Sequence, residues 1–572
     1  MSTDDSAQGN RRLQTILLFS LCLVFSLYFP TLYHLRFADD DIYLSSGNLL
    51  LHEMQWTELY KFLLAPANPW EFLPLRDLTY WLDFRLFGSD FAGFHLTNLV
   101  WYALSIGATY ALFFQLILFC RPDWEKRAST LSLAGALLFA AHPTHVEAVA
   151  WIASRKDLIA GSLSLFSLAL LAHAMRHGRP WREVLVSAFL FFLACFGKSA
   201  AVSYVILAVV LLCVDDSLCE KFAGDDIEGY SRKFSGAFSR IFSKNCVGKF
   251  AAIVLFIVLA AFASFIHMRV GANTGVRIEN HPGLFAMIER ASRILSALTG
   301  IIVCPYPMRF YYDVYQYGAW HWIVSGCVVA SGLVALCILM KRRSLSALGV
   351  ALMFSPMLVY LQFTPFSTWS MASERFVFVS VAGLALLLID ILGRFTKPRT
   401  MGIVLAALVI PCSVATWSRI EQWGGTGIYD LLNIEYEYQP NFSTAISTRI
   451  SPRLVLAQRY GEARELARRL GRPYAVDSML RYIDAHEAYT PFRKLSAEEA
   501  MMPDLKDMRE KFCAKSIEFR ESIHRNSAQL RNEPDITYIV VMKNIGEFSK
   551  GYDEIVNKKS LCNPENKESQ GK

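Results

Sequence analysis

Apolar runs recur along the chain at 13–33, 92–118, 130–143, 158–175, 185–197, 200–214, 250–268, 319–340, 346–363, 376–393 and 400–417. Several reach the roughly 17–25 residues that carry a helix across a bilayer. Inside hydrocarbon a backbone must bond to itself, so such runs specify helices. Apolar residues fill 53% of the 572 positions and charged residues only 19%, below the usual quarter or so of a soluble domain. The sequence therefore reads as all-α: a polytopic integral membrane protein with about 11 transmembrane helices and a mainly helical C-terminal soluble domain. The first run lacks a small-residue cleavage site and reads as a retained signal anchor.

Lys and Arg clusters set the orientation. They fall at Arg11–Arg12, at Arg121, Lys126 and Arg127, at Arg176, Arg179 and Arg182, at Lys341–Arg343, and at Arg394, Lys397 and Arg399. All share one side if the N-terminus is cytoplasmic and the chain crosses at each run. Residues 1–12 are then cytoplasmic, 13–418 form the transmembrane domain with outer loops 34–91 and 269–318, and 419–572 lie outside with a disordered end. The segment 185–214 is read as a short hairpin broken at Gly197–Lys198. The segment 288–303 is read as interfacial or re-entrant, because counting it alone as a crossing would put Lys341–Arg343 outside.

The net charge of +7 follows from the cytoplasmic loops and implies no nucleic-acid partner. The twelve cysteines include no CxxC pair, which argues against a zinc site. Cys513 and Cys562 can pair if the tail lies in an oxidising compartment.

Chemistry concentrates at the outer boundaries. "RFADDDIYLS" puts Asp39, Asp40 and Asp41 past the C-terminal end of the first helix, where the helix dipole disfavours anions. A solvated acidic loop is the plain explanation. "AAHPTHVEAVAWIASRKDLIAG" places His142, His145, Glu147, Arg155, Lys156 and Asp157 at the outer boundary. Cations there run against the topological bias, which phosphate binding or local ion pairing would explain. Lys198 sits at the tip of the hairpin within apolar sequence, and Glu374–Arg375 open a late helix. Intramembrane ionisable groups are functional candidates. His142 and His145 lack a third ligand for zinc, and a divalent ion beside the aspartates is left open. "CPYPMRFYYDVYQYGAWHW", Cys304 to Trp322, suits either an interfacial anchor or a sugar-stacking surface.

"FADDDIYLSSGN", "LPLRDLTYWLDFRLFGSDFAGFHLTNL", "HPTHVEAVAWIASRKDLIAG", "FGKSAAVSYVILAVVLLCVDD" and "SERFVFVSVAG" occur in that order. Together they resemble the transmembrane-and-tetratricopeptide (TMTC-like) O-mannosyltransferases and their bacterial relatives, in the GT-C class of membrane glycosyltransferases. The resemblance covers roughly residues 13–440. It implies a polyprenyl-phosphate sugar donor used on the periplasmic or lumenal face, in the inner membrane of a bacterium or the endoplasmic reticulum of a eukaryote. It puts the catalytic carboxylate at Asp39 or Asp40. It makes His142, His145, Glu147, Arg155, Asp157, Lys198 and Glu374–Arg375 site-lining. Two positions depart from the family pattern: Tyr102 stands where a His is frequent, and Ser199 where a Pro is frequent. The tail, though helix-favouring, shows no 34-residue tetratricopeptide period.

The expected activity is transfer of a sugar from that donor to a hydroxyl on a protein or glycan acceptor. Arg155, Lys156, Lys198 and Arg375 form the pool for a phosphate clamp, and membrane lipid is the remaining partner. A lipid-linked glycan flippase and an inert scaffold are the rival readings.

Overall fold

In this computed structural model the residues described are 18, 22, 25–34, 51, 54–63, 71–178, 180–214, 244–273, 283–310, 312, 314, 318–341, 343–363, 370–395, 398–424, 454–455, 458–492, 503–527 and 562. Asp39, Asp40 and Asp41 lie outside them. Among the described residues every regular element is helical.

Among the described residues sixteen α-helices follow in chain order. They are α1 (Pro74–Phe87), α2 (Phe91–Cys120), α3 (Glu125–Ala140), α4 (Val146–Ala150), α5 (Arg155–Arg176), α6 (Trp181–Gly197), α7 (Val205–Cys213) and α8 (Lys244–Asn273). Then come α9 (Leu284–Val303), α10 (Trp320–Lys341), α11 (Leu345–Phe354), α12 (Ser380–Phe395), α13 (Pro398–Trp423), α14 (Tyr460–Ala467), α15 (Pro473–Tyr489) and α16 (Lys506–Ser527). Among the described residues five helical stretches are long and apolar enough to cross a membrane: Phe91–Cys120, Ile152–Arg176, Gly248–Arg269, Trp320–Leu339 and Thr400–Trp423. The apolar helices Ser199–Cys213 and Leu345–Leu361 are shorter.

Helices α2 and α5 form the centre and are largely buried, whereas α8, α10 and α13 leave most of their apolar surface uncovered. Ile257, Val258 and Phe262 on α8, Leu333 and Val334 on α10, and Ile403, Ile410 and Val414 on α13 are all exposed. Apolar surface on that scale is what a lipid-facing rim requires. Lipid tails are as apolar as leucine, so small and polar residues join the helices instead. Ser167 and Ser187 exchange hydroxyl-to-carbonyl bonds of 2.8 and 2.7 Å between α5 and α6. Ser292 and Ser296 on α9 bond to His321 on α10.

Helices α11 and α12 meet backbone to backbone. A Cβ added at Gly383 would sit 2.2 Å from the Met353 amide nitrogen and 2.6 Å from the Gly349 carbonyl oxygen. Main chain cannot yield as a side-chain tip does, so Gly383→Ala is expected to cost about 1–3 kcal/mol, the range for overpacking. Thermal unfolding of the detergent-solubilised protein measures it.

The break at 197–198 is present: α6 ends at Gly197, Lys198 is extended, and a 3-10 turn (Ser199–Tyr204) leads into α7. The segment 288–303 belongs to a full helix, α9, with Arg290 and the apolar stripe of Ile294, Leu298 and Ile301 buried. The expected outer loops hold buried structure. Residues 34–91 contain α1, with Arg76, Asp77, Tyr80 and Trp81 buried, and 269–318 contain α9. The aromatic stretch 304–322 divides: Phe310 and Tyr312 are core, while Tyr306 and Trp320 are exposed.

Helices α14, α15 and α16 share a hydrophobic core of their own, built from residues such as Leu466, Met479, Tyr482, Phe512 and Phe519. Cys513 and Cys562 are joined by a disulfide beside it.

Candidate functional site: a belt of buried ion pairs

Short 3-10 turns interrupt the helices at Pro143–His145, Ile152–Ser154, Ser199–Tyr204, Ser355–Leu361 and Glu374–Val377. Proline opens two of them, and the turns at Pro143–His145 and Glu374–Val377 pack together, as do those at Ser199–Tyr204 and Ser355–Leu361. Glu374 and Arg375 lie within the last of these turns, and Arg155 and Lys198 adjoin those at Ile152–Ser154 and Ser199–Tyr204.

The first group surrounds Arg155, which is 0% exposed. Its guanidinium contacts Asp83 at 2.5 Å, and donates to Asn98 Oδ1 (2.7 Å), Thr79 Oγ1 (3.3 Å) and the Phe94 carbonyl (2.9 Å). It also lies over the Tyr80 ring. Asn98 in turn donates to the Val149 and Trp151 carbonyls. Arg155 thereby ties α1, α2 and α5 together. Burial raises the Asp83 carboxyl, with Arg155 and Thr97 pulling the other way.

The second group is Glu71 between Lys156 (2.6 Å) and Arg76 (2.7 Å), with Arg76 also bonded to Asp77. Burial alone would raise the Glu71 carboxyl, but the two cations outweigh it and hold it well below the usual carboxylate range.

The third joins Lys198 to Asp157. The Lys198 ammonium also lies 5.2 Å from the Tyr360 ring centre and 5.4 Å from that of Phe376. Arg375 stacks on the same Phe376 ring at 4.9 Å and on Trp151 at 5.1 Å. Phe376 thus links this group to a fourth, in which Glu147 accepts from both the guanidinium and the backbone amide of Arg375. A fifth sits on α13: Arg419 grips Glu374 at 2.8 Å, and the Tyr312 hydroxyl donates to the same carboxylate.

The two histidines of the HPTH motif are fully engaged. His142 contacts Thr144 Oγ1 through Nδ1 and the Ile302 carbonyl through Nε2. His145 has Nδ1 2.9 Å from the Tyr102 hydroxyl and Nε2 3.1 Å from the Phe378 carbonyl. A carbonyl only accepts, so each Nε2 carries a proton and each ring is a crosslink between elements. Tyr102, the departure from the family pattern, is what holds His145. Among the described residues no three His, Cys, Asp or Glu side chains gather as a metal site.

No family profile matches the chain. Stretches of it are similar to curated protein O-mannosyl-transferases. Identity is 30% with Tmtc1 of Drosophila melanogaster over 32% of this chain and 19% of that protein. It is 30% with TMTC3 of Mus musculus over 23% and 14%, and 30% with TMTC2 of Homo sapiens over 27% and 18%. The chain resembles the TMTC family. It aligns with less than a fifth of the length of each of these TMTC relatives.

The TMTC-like motifs do not form one open cluster. Lys156, Lys198 and Arg375 keep 19%, 12% and 9% of their side chains exposed, whereas Arg155 and Arg419 are wholly enclosed. Asp157 keeps one carboxylate oxygen, Oδ2, buried and without a hydrogen-bond partner among the described residues. Sequence reasoning missed Glu71, Arg76, Asp83, Tyr312 and Arg419. Four are charges set among aromatic and apolar residues, a signal that was present in "WEFLPLRDLTYWLD" and just past the run 400–417.

Proposed function

We propose that the chain is a membrane glycosyltransferase that moves a sugar from a polyprenyl-phosphate donor to a hydroxyl on a protein, at the outer face of an eleven-crossing bundle. The partial likeness to protein O-mannosyl-transferases carries this reading, and their names suggest mannose as the sugar. The belt supports it, because Lys156, Lys198 and Arg375 are partly exposed cations, each held ready by a carboxylate. In this scheme they bind the donor phosphate and stabilise it as it departs. Asp39 or Asp40 takes the proton of the attacking hydroxyl while the other orients it. Arg155, with its donors engaged by protein groups, acts as a strut. The Cys513–Cys562 disulfide supports an external tail, since such bonds persist in oxidising compartments.

The belt's cations are matched by carboxylates, so phosphate binding is an exchange of partners. A lysine ammonium on a flexible stem suits such an exchange better than a rigid guanidinium fork.

Mass spectrometry of secreted and membrane proteins, with and without this protein, tests the activity. The expected result is a hexose mass on serine or threonine that disappears with it. Unchanged protein glycans together with an accumulating lipid-linked sugar would instead establish the flippase reading.

A further inference from the structure

The buried histidines of the bundle fall into two kinds. His142, His145 and His321 each bond to a neighbouring carbonyl or hydroxyl. His95, in the first turn of α2 and 1% exposed, has neither ring nitrogen in a hydrogen bond among the described residues. The His34 main chain approaches its ring without reaching hydrogen-bond geometry. The His34 ring stands 6.1 Å away, edge to face, itself 7% exposed and with Nδ1 unbonded. Leaving a buried donor or acceptor unsatisfied costs about 1–3 kcal/mol, so a pair carrying three such atoms calls for a partner.

The pair's position is informative. His34 caps the 3-10 turn Phe29–Tyr33, five residues before Asp39. His95 lies beside Phe94 and three residues before Asn98, both of which hold Arg155. Gly424, at the end of α13, closes the third side, where an added Cβ would stand 2.5 Å from His34 Nε2. Three helix ends therefore meet on the two rings.

The chemistry of the pair selects a ligand class. Burial lowers the His34 imidazole to about 4, so it is neutral at physiological pH. A neutral imidazole offers one N–H donor and one lone pair. A phosphate at neutral pH accepts far more than it donates, and Arg155 already engages the nearby acceptors. An alcohol both donates and accepts, as a neutral imidazole does.

We infer that His95 and His34 form a receptor for a sugar hydroxyl, one that grips the transferred sugar. This rests on the proposed glycosyl transfer, and the test separates the two. The full-length protein in nanodiscs is heated with methyl α-mannoside, with its monodeoxy analogues, and alone. Wild type is expected to gain at least 2 °C with millimolar mannoside and to lose that gain with one deoxy analogue. His95→Phe, which fills the same space without polar atoms, is expected to match or exceed wild type when alone, and to gain nothing from any glycoside. His95→Gln, with a donor and an acceptor, is expected to recover part of the gain. Gly424→Ala, which pushes on His34, is expected to weaken it at least threefold in apparent affinity. Equal protection of His95→Phe and wild type, or no protection of wild type, overturns the receptor and leaves the pair hydrated. Protection without hexose transfer keeps the receptor and removes the transferase reading. If His95→Phe does not accumulate, the Gln and Gly424→Ala variants decide by the same readout.

Discussion

Arg155→Ala is expected to remove about 3–5 kcal/mol of stability, the cost of breaking a buried ion pair by deleting one partner. Asp83 would be left enclosed, and Asn98, Thr79 and the Phe94 carbonyl would lose a donor together. Protonation of Asp83, whose carboxyl is already raised by burial, relieves part of the charge but restores none of those bonds. Arg155→Lys keeps the charge and loses the fork, so an intermediate loss is expected. The readouts are accumulation in the membrane and the unfolding midpoint in detergent. A midpoint within a degree of wild type for Arg155→Ala would contradict the strut.

The second large effect is kinetic. Under the proposed mechanism, Asp39→Asn or Asp40→Asn lowers the transfer rate by about 10²–10⁴-fold in whichever position is the base, the usual worth of a positioned proton acceptor. The other position loses less, and KM for the donor stays near its original value in both. Lys198→Met is expected to behave differently: removal of a phosphate cation raises donor KM as well as lowering kcat. Single-turnover assays on the purified variants with a polyprenyl-phosphate sugar give both constants. Full activity in both aspartate variants would end the assignment.

The helical class was legible because apolar length is a local property, and the hairpin break at Gly197–Lys198 was legible for the same reason. Pairing was not. Lys198 and Asp157 stand out singly, but nothing in either motif says that they meet, because the contact depends on how α5 and α6 pack. Arg155 and Lys156 look alike in sequence and differ only in which way the first turn of α5 points them. One faces α1 and α2 and is sealed; the other reaches Glu71. Residues 34–91 read as an outer loop, yet Arg76 and Asp77 are buried there as an ion pair. The resemblance makes His142 and His145 site-lining, and carbonyls supplied by α9 and by the turn after Glu374 hold both rings.

The belt has a consequence for synthesis. Glu147 and Arg375 are 228 residues apart, and Glu374 meets its partner Arg419 only on the last membrane helix. As the chain leaves the ribosome, Glu147 emerges and waits, uncompensated, while more than half of the bundle is still to be made. The belt therefore closes only when α13 arrives. A nascent chain stopped before α13 carries Glu374 without Arg419, its counter-charge, which marks it as unfinished to any machinery that surveys membrane segments for exposed polarity.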